Sequence, residues 1–359
     1  MAELDAVIDA RIGEVRTDAL DLSFGEIVNL HSAHELIIQP EYQRLFRWSI
    51  EQRSRLIESV LLELPIPQIF VIENHDGVLE LIDGLQRVSS MIQFLNAPIL
   101  ELEPLQLDGC DLIKDLNGKT FEDLPLNLRH RLKRASVRTI VIKRQSRSFL
   151  RYEMFKRLNT GGSLLSPQEI RNCSARMLGE DGTRFYTFLQ RLATSEDFQR
   201  CTEPLPQEDR EQRGDEELVL RFLACKNSQD LFKGSVRDWL DNVMEGILLK
   251  TISFDEAAEE RSFSEVFSFL GTTFGGGAFV KYRGAAPLGG LAPAYYEAVS
   301  IGTLNSLAHV RSKPAEAVRN AVIETVQSED FRSATGPGAN SKHKLGTRIR
   351  LICEAFGRL

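Results

Sequence analysis

The sequence predicts an α+β domain over residues 1–180 followed by a helical domain over residues 181–359. Three observations carry this. Two short runs rich in β-branched residues, Gln68–Glu73 and Val78–Ile82, flank an Asp-Gly turn signal. Directly after them the apolar spacing changes from strand-like to helical, with Val88, Met91, Ile92 and Leu95 on one stripe. Beyond about residue 180 the chain shows helical periodicity almost throughout. A length of 359 residues suits two domains at roughly 150 residues per domain.

Taken in chain order, Glu35–Gln39 is a short strand stopped by Pro40. Ser49 opens a helix: Ser49 and Gln52 have capping-box spacing, and Leu56, Ile57, Val60, Leu61 and Leu64 line one face. Pro65 and Pro67 end it, because the ring clashes with the preceding turn and removes a donor. The hairpin Gln68–Glu73 and Val78–Ile82, joined through Asn74-His75-Asp76-Gly77, leads into Asp83-Gly84-Leu85-Gln86-Arg87 and the helix that follows. Those five residues therefore stand at a strand-to-helix junction, where unbonded backbone N–H groups and the helix dipole favour an anion. Val137–Lys143 is a further strand, and a helix from about Ser148 to Leu158 precedes the loop Asn159-Thr160-Gly161-Gly162. Ser166-Pro167-Gln168-Glu169 is a strong helix start, with Ser at the N-cap, Pro in the first position and Glu in the third. Helices are then expected at Thr183–Ala193, Glu216–Lys226, Ser235–Leu249, Phe254–Leu270, Pro293–Leu307, Ala315–Gln327 and Leu345–Phe356. Loops at Cys201–Gly214 and Phe274–Gly290 interrupt them.

Composition excludes several classes. With 42% hydrophobic and 26% charged residues the chain is an ordinary globular protein. Its longest apolar runs are broken by Pro and Gln, too short for a membrane span. The acidic start Met1-Ala2-Glu3-Leu4-Asp5 lacks the basic, then apolar pattern of a signal peptide. Five cysteines without CxxC spacing point to a reducing compartment, so the expected location is cytoplasmic. The net charge of −7 gives the whole chain no attraction to nucleic acid. Locally, however, residues 129–151 carry nine Lys or Arg and no Asp or Glu. Arg129, Arg131, Lys133 and Arg134 open this run, which reads equally as a solvated face or as a surface for the phosphates of a nucleic acid.

Four polar clusters could carry chemistry. In Tyr42-Gln43-Arg44-Leu45-Phe46-Arg47-Trp48 two guanidiniums interleaved with aromatics could clamp a phosphate or flank a stacked base. The same aromatics could equally pack a core while Arg44 and Arg47 pair with nearby carboxylates. In the junction, Gly84 permits a tight turn, Asp83 could orient water or a metal-bound water, and Arg87 offers a planar fork for phosphate oxygens. The plain alternative is a helix start capped by Asp83 beside a structural Arg87. Arg157-Leu158-Asn159-Thr160-Gly161-Gly162 is either a loop that lets backbone approach a ligand or a simple helix C-cap. In Glu169-Ile170-Arg171-Asn172, Glu169 could do no more than cap its own helix. Gly275-Gly276-Gly277 lacks the ending of a P-loop, and no GxSxG elbow or dense Cys/His cluster appears.

Together and in this order, the motifs resemble one family. Pro40 to Trp48, Pro65-Ile66-Pro67, Ile82 to Arg87, and Phe155 to Gly162 with Leu165 to Asn172 are similar to the GmrSD N-terminal-domain family, whose members carry a DGQQR-type motif on a ParB/sulfiredoxin-like fold. The likeness covers about residues 38–175, and Ala334-Thr335-Gly336-Pro337-Gly338 shares the family's look. Leu85 stands where the commonest form of the motif has Gln. The resemblance implies a domain that binds, and as an NTPase hydrolyses, a nucleoside triphosphate with Mg²⁺ in bacterial defence against foreign or modified DNA, licensing DNA attack by a separate nuclease or other effector. On this reading Asp83, Gln86 and Arg87 are catalytic, with Asp83 placing metal or water. Arg44, Arg47, Gly84, Arg157, Asn159, Gly161, Gly162, Glu169 and Arg171 bind the nucleotide. Asn159 with Leu165-Ser166-Pro167 and Glu169 also resembles the ParB segment that contacts nucleotide and metal. Two other readings stay open: a DNA-binding or DNA-cleaving module whose strand follows the basic run, and a non-catalytic regulatory partner.

Overall fold

The computed structural model describes residues 16–38, 48–74, 76–143, 166–176 and 178–359. The chain folds as two compact units, Met1–Leu165 and Ser166–Leu359. The division lies ahead of the boundary expected near residue 180, because the helix opening at Pro167 buries its face among helices of the second unit.

The first unit is built on a mixed five-stranded sheet. Its strands are β1 (Thr17–Ser23), β2 (Leu36–Ile37), β3 (Ile69–Glu73), β4 (Leu79–Asp83) and β5 (Ser136–Ile142). They lie in the order β1-β5-β3-β4-β2, so β3 is central. It pairs parallel with β5 and antiparallel with β4. This position explains its continuous apolar sequence, since both of its faces are covered. The helices are α1 (Phe24–Ser32), α2 (Ile50–Leu61), α3 (Leu85–Asn96) and α4 (Leu126–Arg134). Phe24, Ile27, Ile57, Val60, Val88, Met91, Ile92 and Leu132 from these helices join Val71, Val137 and Val141 of the sheet in one core.

The hairpin forms as expected. Asn74 N–H donates to the Val78 carbonyl and Gly77 closes the turn at φ +82°. The capping box on α2 is also present in full: Gln52 N–H donates to Ser49 Oγ and Ser49 N–H to Gln52 Oε1. Two expectations are corrected. The α2 helix stops at Leu61, with Glu63 in the left-handed region at φ +55°, so Leu64 leaves the apolar face and is 44% exposed. The chain leaves the helix through a reverse turn in which Leu64 N–H donates to the Ser59 carbonyl across the left-handed Glu63, and Pro65 then keeps Leu64 out of helical conformation. The strand expected over Glu35–Gln39 is the two-residue β2, with Gln39 outside the described residues. The helix expected from about Ser148 to Leu158 also lies outside them.

The second unit is helical: α5 (Pro167–Arg176), α6 (Glu180–Ala193), α7 (Glu196–Cys201), α8 (Gln207–Glu211), α9 (Gly214–Asn227), α10 (Val236–Leu248), α11 (Glu256–Thr273), α12 (Pro293–Val310), α13 (Ala315–Gln327), α14 (Glu329–Thr335) and α15 (Lys342–Gly357). A small hairpin, β6 (Lys281–Arg283) and β7 (Ala286–Leu288), lies within the stretch expected as a Gly-rich loop. Phe198, Phe222, Phe263, Phe267, Phe279 and Tyr296 pack ring to ring in the core, mostly edge to face. Beside them runs a chain of buried ion pairs. Asp241 and Glu217 hold Arg171, Glu217 and Glu297 hold Arg221, and Glu297 also holds Arg348. The five cysteines carry no disulfide, and no helix among the described residues is long and apolar enough to cross a membrane.

Candidate functional site

Strand β4 delivers Asp83 to the edge of the core, and the backbone then turns through Gly84 into α3. The pairing register between β3 and β4 shifts just before this point: Val71 faces Leu81, but Phe70 faces Asp83, leaving Ile82 as the extra residue of a bulge. A bulge exchanges the faces that successive side chains occupy and bends the strand. Here it sets the direction in which Asp83 leaves the sheet. Gly84 lies at φ +101°, and an added Cβ would fall 2.5 Å from Ile69 Cγ2 and 3.2 Å from Arg87 Nη2. No other residue type fits that turn without displacing both neighbours. The N-cap residue Gly84 brings no side chain to the start of α3, and a helix N-terminus favours an anion.

Arg87 folds back over the turn. Its Nη2 donates to Asp83 Oδ2 at 2.9 Å and to the Gln68 carbonyl at 3.1 Å. Its Nε is buried and has no acceptor, and among the described residues Nη1 has none either. The guanidinium side chain is 16% exposed and the Asp83 carboxylate 36%. Gln86 uses its side-chain carbonyl to accept the backbone N–H of Trp48 at 3.2 Å, tying the start of α3 to the residue that follows Arg47. Leu85 points the other way, 6% exposed within the hydrophobic core. The residue that departs from the commonest motif is therefore a packing residue.

Of the other candidates, Arg44, Arg47, Arg157, Asn159, Gly161 and Gly162 lie outside the described residues. Glu169 and Arg171 belong to the helical unit. Glu169 accepts the Ser166 N–H at 2.7 Å while Ser166 Oγ accepts the Glu169 N–H, the reciprocal cap that the sequence suggested. Arg171 is 2% exposed; its Nε donates to Asp241 and its Nη1 to Glu217 and Gln168. Such bonds are those of a buried structural cation.

Among the described residues of the basic run, four of the six cations face carboxylates. Arg129 pairs with Glu122, Arg131 with Glu63, Arg138 with Asp21, and Lys143 with Asp18 and Glu73. Lys133 lies over the Phe121 ring at 5.5 Å, and Arg134 is exposed. Arg131, Lys133 and Arg134 also occupy the last turn of α4, where cations complement the helix dipole. Among the described residues no group of three His, Cys, Asp or Glu side chains is gathered as a metal site. Sequence reasoning missed the Gln68 carbonyl and the link from Gln86 to Trp48. A main-chain acceptor leaves no trace in residue identity, whereas the aromatic close to the motif's arginines was visible as Trp48.

Residues 24–175 match the family model described as GmrSD restriction endonuclease, N-terminal domain. No curated protein and no solved structure gives a match. The match covers the sheet unit from α1 onward and ends in α5, and its name connects the chain with restriction and defence.

Proposed function

We propose, on the premise that residues 24–175 belong to the GmrSD restriction endonuclease N-terminal-domain family, that the chain is the nucleoside-triphosphate-binding and hydrolysing component of a defence system acting on foreign or modified DNA. The observation that supports it is the junction itself: a guanidinium held beside a helix start whose N-cap is a left-handed glycine with no room for a side chain. A guanidinium and the start of a helix, three residues apart in the chain, are both groups that suit phosphate oxygens. Positioning and charge neutralisation are most of what phosphoryl transfer asks of a protein. Magnesium binds through one or two carboxylates together with substrate phosphates and water. A magnesium ion here would be carried mainly by the nucleotide's own phosphates and water, neutralising phosphate charge. The ParB/sulfiredoxin-like assignment belongs to the same proposal and is supported by the mixed sheet and the family membership.

Nucleotide binding and phosphate release by the wild type and by Arg87→Ala test the reading. Binding by the wild type and its loss in the variant is the expected outcome. Absence of binding in both overturns it. A DNA-binding reading has less behind it, because most described cations of the basic run already face carboxylates. It calls for strongly salt-dependent DNA binding that weakens nearly uniformly in Lys133→Ala or Arg131→Ala. A separate nuclease or other effector would complete the system, and gel filtration with a neighbouring gene product checks for one.

A further inference from the structure

We propose that Asp83 is a positioning residue for Arg87 rather than the group that holds metal or water. The proposal rests on the nucleotide reading and gives a different role to its most conspicuous carboxylate. Both hydrogens of Arg87 Nη2 are committed, one to Asp83 Oδ2 at 2.9 Å and one to the Gln68 carbonyl at 3.1 Å. Two acceptors on one nitrogen, one from β4 and one from the residue before β3, fix the plane of the guanidinium. With Nε shut away from solvent, Nη1 is the nitrogen left to meet a ligand. Asp83 thus determines which edge of Arg87 is presented.

Electrostatics argue against the metal role. A divalent cation bound to Asp83 would lie beside a guanidinium already in contact with the same carboxylate, and like charges at such range repel. Among the described residues Asp83 belongs to no group of three or more His, Cys, Asp or Glu side chains that could hold a metal ion. Gly84 completes the arrangement, since a Cβ there would press on Nη2 at 3.2 Å and move the fork out of its plane.

The test measures binding of non-hydrolysable ATP and GTP analogues to the full chain, with magnesium and with EDTA. Wild type, Asp83→Asn and Asp83→Ala are compared, and thermal unfolding confirms that each variant is folded. Losing a charge-assisted partner on Arg87 is expected to weaken binding roughly ten- to hundredfold in Asp83→Ala and less in Asp83→Asn. The fold-loss should be the same with and without magnesium. A loss seen only with magnesium makes Asp83 a metal ligand and overturns the proposal. The second readout needs no ligand: nitrogen NMR of the arginine side chains. Rotation about the Nε–Cζ bond of Arg87 should be slow in the wild type and fast in Asp83→Asn, with Arg53 unchanged as the control. Free rotation in the wild type, or no change in the variant, overturns the positioning role. If no nucleotide binds but Arg87 is held by Asp83, the functional reading fails and the positioning role stands.

Discussion

At residue scale the junction depends on Gly84, whose backbone lies at φ +101° over Ile69. Gly84→Ala adds a left-handed penalty of about 1–2 kcal/mol to a contact with Ile69 Cγ2 that must be relieved by movement of the central strand. We expect a loss of about 2–3 kcal/mol in unfolding free energy, measured by denaturant titration. A second residue gives a pH signature. Burial pushes the Glu216 carboxyl up to about 7 from an ordinary 4.5, even though Arg213 and the Asn172 amide favour its charged form. The folded state then holds this proton more tightly than the unfolded state does. Its contribution to stability is complete below pH 4.5 and is lost as pH rises through about 7. Between about pH 5 and about pH 8 the wild type should lose on the order of 2–3 kcal/mol more than Glu216→Gln, as denaturant curves at the two values would show. Of these residues Gly84 was legible in the sequence, because a Gly between strand and helix implies a special turn. Glu216 was not. Its environment comes from Asn172 and Arg213, and nothing in the local pattern of α9 marks a buried carboxylate.

Among the elements, α2 shows how local signals survive folding. Ser49 and Gln52 satisfy each other's backbone donors, and Leu56, Ile57, Val60 and Leu61 turn to the core. Removing the hydroxyl in Ser49→Ala should cost about 1 kcal/mol, readable as a small drop in thermal midpoint that Ser49→Asp recovers. The hairpin β3–β4 was equally legible, since Asp-Gly and the alternation lie within one short window. The β1 strand was not, because five of its seven residues are exposed and its partner β5 comes from far along the chain. Edge strands of this kind are specified by their neighbour more than by their own residues. The bulge at Ile82 and the acceptor role of Gln68 also escaped, though together with Gly84 they aim Asp83 and Arg87. Sequence therefore named Asp83 to Arg87 as a candidate, while the geometry of that turn came from register and main chain.

On the scale of the whole molecule, the matched family segment ends inside α5, whose residues Gln168–Ala175 are all buried in the helical unit. Arg171 is where that segment enters the chain of buried ion pairs, which runs from Asp241 through Glu217, Arg221 and Glu297 to Arg348. Arg348 in turn donates to the carbonyls of Ala334 and Ala339, on either side of the Gly336-Pro337-Gly338 turn. One polar network therefore joins the helix in which the family match ends to the Gly336-Pro337-Gly338 turn. Alternating charges without water are stable only as a set, since removal of one member leaves its neighbours buried and uncompensated. Glu217 and Glu297 each serve two guanidiniums, and Glu297 is the more vulnerable because its side chain is 3% exposed against 25% for Glu217. Glu297→Gln should cost about 3–5 kcal/mol, a large share of a typical total of about 5–15 kcal/mol, and should raise hydrogen exchange at residues 334–340. By contrast Arg350→Ala, which removes the exposed pair with Glu354, should cost less than about 1 kcal/mol. Equal, small losses in both variants would mean that the buried pairs contribute no more than the surface ones.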